Sequence, residues 1–216
     1  MNFETNEAFY DRIANSYDAI AHSSEWGATE KGIASLNLQE GESVLEIGYG
    51  TGHSLIALAQ AVGASGSAQG IDISEGMQGV ASRNLERAGL ADRVNLKVDS
   101  VPPLGGVADQ SLDAVFLSFT LELFPNGVIE EVVAECVRVL KQGGRLGVVA
   151  MAVPQNANED NAMEKAYVWF HRHFPHIVDC HPIDVEKLLT GGGLALDHAE
   201  HTDIWSLPVA VVVGRK

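Results

Sequence analysis

The sequence is poor in cysteine, basic residues and long apolar runs, and each scarcity excludes a class of protein. Its two cysteines, Cys136 and Cys180, show no CxxC spacing, so we expect reduced thiols rather than a disulfide framework. Lysine and arginine number 14 against 29 acidic residues, a net charge of −15 that repels nucleic acid. The longest apolar run, 146–153, is too short for a bilayer span of about 20 residues.

The amino terminus lacks the basic start and the apolar stretch of a secretory signal. With 46% hydrophobic and 20% charged residues, the 216-residue chain has the composition of a globular protein with one core. We therefore predict a single cytoplasmic domain without a nucleic-acid partner. Peripheral membrane contact and the oligomeric state stay open.

Short β-rich runs alternate with longer helical patterns from position 43 onward, which is typical of an α/β fold with a mostly parallel sheet. The last two strands leave no room for a helix between them, so they should pair antiparallel. The predicted strands are 43–47, 68–73, 94–98, 112–117, 144–150, 194–199 and 208–213. The predicted helices are 6–21, 54–62, 75–88, 128–140, 160–173 and 184–189.

The most informative motif is a glycine loop that joins the first strand to a helix. Gly48, Gly50 and Gly52 give the spacing GxGxG, and glycines in such a loop allow a ligand to lie against the backbone at the carboxyl edge of a sheet. The dinucleotide fingerprint GxGxxG requires glycine at the position of His53, and a P-loop requires a lysine that this loop lacks. A nicotinamide dinucleotide and a nucleoside triphosphate are therefore disfavoured.

Five segments, the first of which holds the glycine loop, follow one another along the chain: Glu46-Ile-Gly-Tyr-Gly-Thr-Gly, Gly70-Ile-Asp-Ile-Ser-Glu-Gly-Met, Val98-Asp-Ser-Val-Pro, Ser111-Leu-Asp-Ala-Val-Phe-Leu-Ser-Phe and Val139-Leu-Lys-Gln-Gly-Gly-Arg-Leu. Together they resemble the motifs of class I S-adenosylmethionine-dependent methyltransferases. A further segment, Phe9-Tyr-Asp-Arg-Ile-Ala-Asn-Ser-Tyr-Asp, resembles the start of the ubiquinone and menaquinone C-methyltransferase group, also called methyltransferase type 11.

This resemblance implies a Rossmann-like seven-stranded sheet of order 3-2-1-4-5-7-6, with helices on both faces and the last strand antiparallel. It also implies S-adenosyl-L-methionine as cofactor and S-adenosyl-L-homocysteine as product. The expected single methyltransferase domain comprises cap helices over 1–40, a cofactor-binding core over 41–153, and an acceptor-side lid with the last two strands over 154–216.

The resemblance also assigns cofactor contacts residue by residue. Asp72 ends the second strand, 20 residues after Gly52, and a carboxylate there can accept two hydrogen bonds from a ribose diol. Asp99 is expected to meet the adenine amino group, with Ser100 offering its backbone amide. Ile73 and Met77 are expected to pack on the purine face.

Three further cofactor contacts are expected. Glu46 resembles the acid beneath the loop that holds loop amides and the methionine ammonium group, with a purely structural role as the alternative. Ser118 directly follows the fourth predicted strand, 112–117. Tyr17 lies on the predicted amino-terminal helix together with Tyr10.

Catalysis requires placement more than a covalent nucleophile, because the sulfonium already activates the methyl group. Candidate catalytic residues are Glu122, at a position where many of these enzymes carry histidine, and Tyr10. The alternatives are that Glu122 faces solvent and that Tyr10 and Tyr17 serve core or lid packing.

Six of the eight histidines and Cys180 fall in the last quarter of the chain, yet their spacing does not pair ligands as a structural zinc site does. We predict no metal; the histidines either line an acceptor pocket or lie on the surface. The aromatic segment 156–184 could form a lid over the acceptor or pack as an ordinary helix.

The sequence thus favours methyl transfer from S-adenosylmethionine to a small apolar or aromatic acceptor, with C-methylation of a quinone precursor first. N- or O-methylation of another small metabolite is the alternative within enzymes. A non-catalytic domain that binds the cofactor or its product is the alternative outside them.

Overall fold

The computed structural model describes residues 8, 10, 11, 22–153, 181–204 and 207–216, except for the side chains of 22–24. The predicted helix 160–173 lies outside the described residues. So do most of the predicted helix 6–21 and most of the aromatic segment 156–184. Among the described helices, none combines the length and the apolar character needed to cross a bilayer.

Seven strands form one sheet of order β3-β2-β1-β4-β5-β7-β6, which confirms the expected fold class and strand order. The β1–β2, β2–β3, β1–β4 and β4–β5 pairs are parallel, whereas β7 pairs antiparallel with both β5 and β6. The strands are β1 Ser43–Ile47, β2 Ser67–Asp72, β3 Val94–Val98, β4 Leu112–Ser118, β5 Leu140–Met151, β6 Ala195–Ile204 and β7 Leu207–Arg215.

A helix lies between each two strands that are consecutive in the chain and parallel neighbours in the sheet, whereas the described chain between β3 and β4 contains no helix. The described helices are α1 His22–Ser35, α2 His53–Ala61, α3 Glu75–Arg87, α4 Ile129–Val139 and α5 Val185–Gly191, with a 3₁₀ turn at Leu121–Leu123. Most predicted boundaries agree within two residues. The two exceptions are the start of β5 and the end of β6, because β5 continues directly from α4 and β6 runs to residue 204.

Helix α1 was not predicted as a separate element, because it carries two glycines and no continuous apolar stripe. One of them, Gly32, lets the helix lie directly on the sheet. A Cβ atom there would stand 2.5 Å from Cγ2 of Val149 and 3.1 Å from the ring of Phe116. Tertiary packing therefore decides this helix, and it brings the residues at its amino-terminal end to the loop edge of the sheet.

Both faces of the sheet are covered, so the central strands are buried on both sides. One core cluster packs α4 and α5 against the sheet and includes Val132, Cys136 and Leu189. The other packs α1, α2 and α3 against the opposite face and includes Leu55 and Phe116. This double cover leaves the carboxyl ends of the parallel strands as the open edge.

Candidate functional site

The site lies where the strand order changes direction. Strand β1 is flanked by β2 on one side and β4 on the other, so the loops after these three strands diverge and leave a crevice at the sheet edge. The glycine loop after β1 fills the centre of this edge. An open α/β sheet binds its ligands at such a point.

Each of the three loop glycines has a left-handed backbone, with φ of +75° at Gly48, +50° at Gly50 and +85° at Gly52. A Cβ at Gly48 would stand 2.4 Å from Cγ2 and Oγ1 of Thr120, and one at Gly52 would stand 3.0 Å from Cβ of Ala81. At Gly50 there is open space within 4 Å. The loop is therefore fixed by packing at its two ends and accessible to a ligand at its centre.

The carboxylate of Asp72 is anchored by backbone amides on both sides of the crevice. Oδ2 accepts from the amide of Gly50 at 2.8 Å, and Oδ1 accepts from the amide of Ser74 at 3.0 Å. Burial raises the pKa of Asp72, and these amide bonds oppose the rise. The side chain is thus oriented before any ligand arrives.

A pocket opens over the glycine loop, and the space free of protein atoms in and above it, open solvent included, amounts to about 820 Å³. Nine predicted site residues line it together: Tyr10, Gly48, Gly50, Asp72, Ile73, Met77, Asp99, Ser100 and Ser118. The sequence missed most of the apolar wall, which is supplied by Ile47, Ile71, Val101, Phe119, Leu123 and Phe124.

Asp99 lies at the open end of this pocket. Its Oδ1 accepts from the amide of Ser100 at 2.9 Å, and its Oδ2 lies 2.5 Å from Nζ of Lys97. The hydrogen bond from Lys97 lowers the pKa of Asp99, so the carboxylate is ionised at neutral pH. It presents acceptor oxygens at the position where the resemblance places an amino group of the ligand.

Asp11 ties the amino-terminal segment to the start of α3. Its Oδ1 accepts from Oγ of Ser74 at 2.5 Å and from the amide of Gly76 at 2.8 Å, while Ser74 Oγ accepts from the amide of Met77 at 3.0 Å. A carboxylate is favourable at a helix amino terminus. The contact positions Tyr10 as a wall of the pocket, a role for Asp11 that the sequence did not predict.

Glu46 lies beneath the loop and is fully buried. Its Oε1 accepts from Oγ of Ser54, whereas Oε2 has no hydrogen-bond partner among the described residues. Burial raises the pKa of Glu46 to about 8. Neither Glu46 nor Gly52 lines the pocket described above, and their contact with a ligand stays a prediction.

A second pocket lies beside the first and shares Gly48, Gly50, Ser118 and Phe119 with it. Its other walls come from α1, the glycine loop and the start of α2: Glu25, Trp26, Thr29, Tyr49, Thr51, His53 and Ser54. The sequence missed the α1 residues, because they precede the glycine loop by about twenty positions and belong to none of the motifs.

Helix α1 contacts the end of β4 at this second pocket. Oγ1 of Thr29 lies 2.8 Å from Oγ of Ser118, and the rings of Trp26 and His53 meet edge to face with centroids 6.4 Å apart. Ser118 therefore stands at the junction of the two pockets. Burial raises the pKa of Glu25, which lines the second pocket, to about 7.

Glu122 lies on the 3₁₀ turn after β4 and is 1% exposed. Its Oε1 accepts from the amide of Met151 at 3.1 Å, and its Oε2 has no hydrogen-bond partner among the described residues. Burial raises its pKa to about 8, and the charge of Glu25 adds to the rise. Glu122 lines neither pocket, and its part in catalysis stays a prediction.

Several of the remaining candidate residues lie outside the part of the chain that the structure describes. They are Tyr17, His171, His173, His176 and Cys180. Within the ranges that the structure describes, no three histidine, cysteine or acidic side chains are grouped as metal ligands. His198 and His201 lie on the edge strand β6, where they face Glu200 and Glu186.

Comparison with known proteins identifies the domain. Residues 44–144 match the family model described as a methyltransferase domain. A demethylmenaquinone methyltransferase of Lactobacillus johnsonii is 31% identical over 151 residues, which are 68% of this chain and 61% of that protein. A protein of Saccharolobus solfataricus named "Probable cobalt-precorrin-6B C(15)-methyltransferase (decarboxylating)" is 28% identical over 133 residues, 62% of this chain and 64% of that protein.

A solved structure shares the whole architecture. The S-adenosylmethionine-dependent methyltransferase of Aquifex aeolicus superposes with a TM-score of 0.65 at 18% identity, covering 97% of this chain and 98% of that one. The chain spans about three fifths of the length of the curated relatives it matches. The matches and the fold identify a class I S-adenosylmethionine-dependent methyltransferase domain, which confirms the expected family, fold and cofactor.

Proposed function

We propose that this methyltransferase domain transfers the methyl group of S-adenosylmethionine to a ring carbon of a small hydroxylated aromatic acceptor of the hydroquinone type. The observation that carries the proposal is the carboxylate of Asp72, held by the amides of Gly50 and Ser74 in the wall of a pocket with apolar sides. Such a fixed carboxylate suits a ribose diol next to a purine.

The residues present fit the cofactor in charge and shape. Asp72 would accept the ribose hydroxyls, Asp99 and the amide of Ser100 would meet the adenine edge, and Ile73 and Met77 would pack on the purine face. Open space at Gly50 leaves room for the ligand against the backbone. Oε2 of Glu46 has no hydrogen-bond partner among the described residues, which leaves a buried oxygen beneath the loop for an ammonium group of the ligand.

When bound, S-adenosylmethionine supplies a methyl group activated by positive sulfur. The task of the chain is then to hold the acceptor in line, to keep water out and to receive a proton. Ser118 stands at the junction of the two pockets, which makes it a marker for the transfer point. Phe119, on the same junction, offers an aromatic wall for a planar acceptor.

Support for a ring-carbon acceptor comes from the relatives. Demethylmenaquinone methyltransferases of several bacteria match at 27–31% identity, and the S. solfataricus relative is named for methylation at C(15) of a different acceptor. The apolar side chains of Leu123 and Phe124 would suit the hydrocarbon part of such an acceptor.

A methyl-transfer assay tests the proposal. The purified chain would be incubated with S-adenosylmethionine carrying a labelled methyl group and with 1,4-naphthoquinol kept reduced, and products would be separated by mass spectrometry. We expect a product heavier by one methylene unit, with the methyl group on ring carbon. The variant Asp92→Ala, at an exposed carboxylate remote from both pockets, serves as the matched control and should keep wild-type activity.

An O-methylated product would contradict methylation at ring carbon but would support methyl transfer to an acceptor of this class. Cofactor binding without methylation of any of a panel of quinols, phenols and amines would contradict the enzymatic proposal and favour a binding domain. We place the reaction in the cytoplasm, with a small molecule rather than nucleic acid as acceptor, in keeping with the net charge of −15.

A further inference from the structure

We propose that Glu25, on the helix that precedes the glycine loop, is the proton acceptor of the methyl transfer and marks the second pocket as the site of the acceptor's hydroxyl group. The inference rests on the proposed function and assigns a catalytic residue to it. No sequence motif of the family includes Glu25.

Glu25 lies where its carboxylate can receive a proton from an acceptor bound in the second pocket. It lines the second pocket, across from the glycine loop and the end of β4. Ser118 and Phe119 belong to both pockets, so the two spaces meet beside them. An acceptor in the second pocket can therefore place one end at the junction with the first pocket and its other end near Glu25.

Among the described residues, no cation pairs with the carboxylate of Glu25 and no donor is hydrogen-bonded to it. Thr29, one turn along α1, is engaged with Ser118 and with the carbonyl oxygen of Glu25 itself, at 2.8 and 3.2 Å. A partly buried carboxylate without a fixed partner is available to an incoming hydroxyl group. Asp72 differs in this respect, because two amides already hold it.

Three titratable groups surround the position: Glu122 from the turn after β4, His53 from α2 and Tyr49 from the loop. Burial raises the pKa of Glu25 to about 7, which suits a general base at neutral pH. Burial and the charge of Glu25 raise the pKa of Glu122 to about 8. The charge of each carboxylate therefore opposes ionisation of the other, so Glu25 and Glu122 titrate as a coupled pair.

The step balances with the groups named. The acceptor's hydroxyl proton passes to the Glu25 carboxylate, and the electron pair of the O–H bond conjugates to the ring carbon, which bonds to the methyl carbon. The C–S bond breaks, and its electron pair stays on sulfur as a neutral thioether. The ring carbon then releases its proton to solvent, and the oxygen regains a proton from Glu25, which restores the carboxylate and the aromatic ring.

The test compares Glu25→Gln with Glu30→Gln, a control at an exposed position on the same helix. First, S-adenosylhomocysteine is titrated into each protein. We expect affinities within twofold of wild type, because Glu25 is assigned to the acceptor. An affinity at least tenfold lower for Glu25→Gln alone, with 5′-methylthioadenosine binding unchanged, would assign Glu25 to the cofactor's ammonium group and overturn the proposal.

Second, kcat is measured from pH 5.5 to 9 with 1,4-naphthoquinol. Wild type and Glu30→Gln should rise with pH to a plateau through an apparent pKa near 7, and Glu25→Gln should lose at least 100-fold in kcat and this rising limb. Glu25→Asp should recover part of the rate. Activity of Glu25→Gln within threefold of wild type would overturn this inference alone, whereas an inactive wild type that still binds S-adenosylhomocysteine would overturn the proposed function with it.

Discussion

The two pockets that meet at the glycine loop differ in how their carboxylates are held. On the side of β2, Asp72 accepts two backbone amides. On the side of α1, neither the carboxylate of Glu25 nor Oε2 of Glu122 has a hydrogen-bond partner among the residues that the structure describes. A group satisfied by the backbone is already oriented for an unchanging ligand, whereas an unsatisfied one is available for the chemistry.

Under our two proposals, this difference makes the first pocket a preorganised binding surface and the second a reactive one. Asp11 reinforces the first side through its bonds to Ser74 and Gly76. Changes on that side should therefore alter cofactor affinity or the fold, and changes on the α1 side should alter pH dependence and turnover.

The largest effect on stability and cofactor binding is expected for Gly48→Ala, because Gly48 lines both pockets. The new Cβ would stand 2.4 Å from Thr120 at a backbone φ of +75°, so overpacking and left-handed strain should together lower the free energy of unfolding by about 3 kcal/mol and abolish cofactor binding. Urea unfolding and titration with S-adenosylhomocysteine measure both.

Gly50→Ala is the matched comparison. Its φ is +50°, but the space around it is open, so strain alone should cost about 1 kcal/mol. An equal loss of stability in the two variants would show that the contact with Thr120 does not fix the loop.

The second-largest effect is expected on the side of α1, where the titration of Glu122 makes the free energy of unfolding depend on pH. The pKa of Glu122 is raised to about 8 in the fold and lies near 4.5 in the unfolded chain, so the folded state binds a proton that the unfolded state has lost between these values. Stability should therefore fall as pH rises from about 4.5 to 8.

Glu122→Gln keeps an acceptor for the amide of Met151 and removes the titration. It should flatten this part of the decline and make the chain more stable than wild type at pH 8. Chemical unfolding at pH 5, 6.5 and 8 measures it. An unchanged slope with pH would contradict the raised pKa.

The third effect concerns the binding side. Asp72→Ala removes the proposed ribose acceptor and frees the amides of Gly50 and Ser74, so the affinity for S-adenosylhomocysteine should fall by about 2 kcal/mol, roughly 30-fold. Calorimetry measures the change, with Asp92→Ala as the control. Equal affinities for the two variants would place the ribose elsewhere.

The smallest effect should come from the exposed end of the same pocket. Asp99→Asn keeps an acceptor oxygen and loses the ion pair with Lys97. In this pair the side chain of Asp99 is 39% exposed and that of Lys97 is 45% exposed. Solvent screens such a pair, so the affinity should fall by no more than about fivefold. A loss as large as that of Asp72→Ala would mean that Asp99 carries charge-dependent recognition of the ligand.

The binding side could be predicted from the sequence because its parts are local. Gly48, Gly50 and Asp72 follow strands whose β-branched pattern and turn residues are visible in the chain, and the parallel order brings their ends together. The amide bonds to Asp72 could not be predicted, since they depend on the path of the loop between the two strands.

The reactive side escaped prediction for a physical reason. Helix α1 owes its position to the close approach of Gly32 to Val149, a tertiary contact without a periodic signal. Glu25 is therefore brought to the site by packing, and no local pattern points to it. Burial of Glu122 was missed as well, because a 3₁₀ turn has too few residues to show a periodicity.

The most direct test of the central claim is isothermal titration of the purified chain with S-adenosylhomocysteine. The fixed carboxylate of Asp72, the open backbone at Gly50 and the apolar walls predict one site per chain with a micromolar dissociation constant. Absence of binding at millimolar concentrations, from a chain shown to be folded by its cooperative unfolding, would contradict the assignment of this pocket.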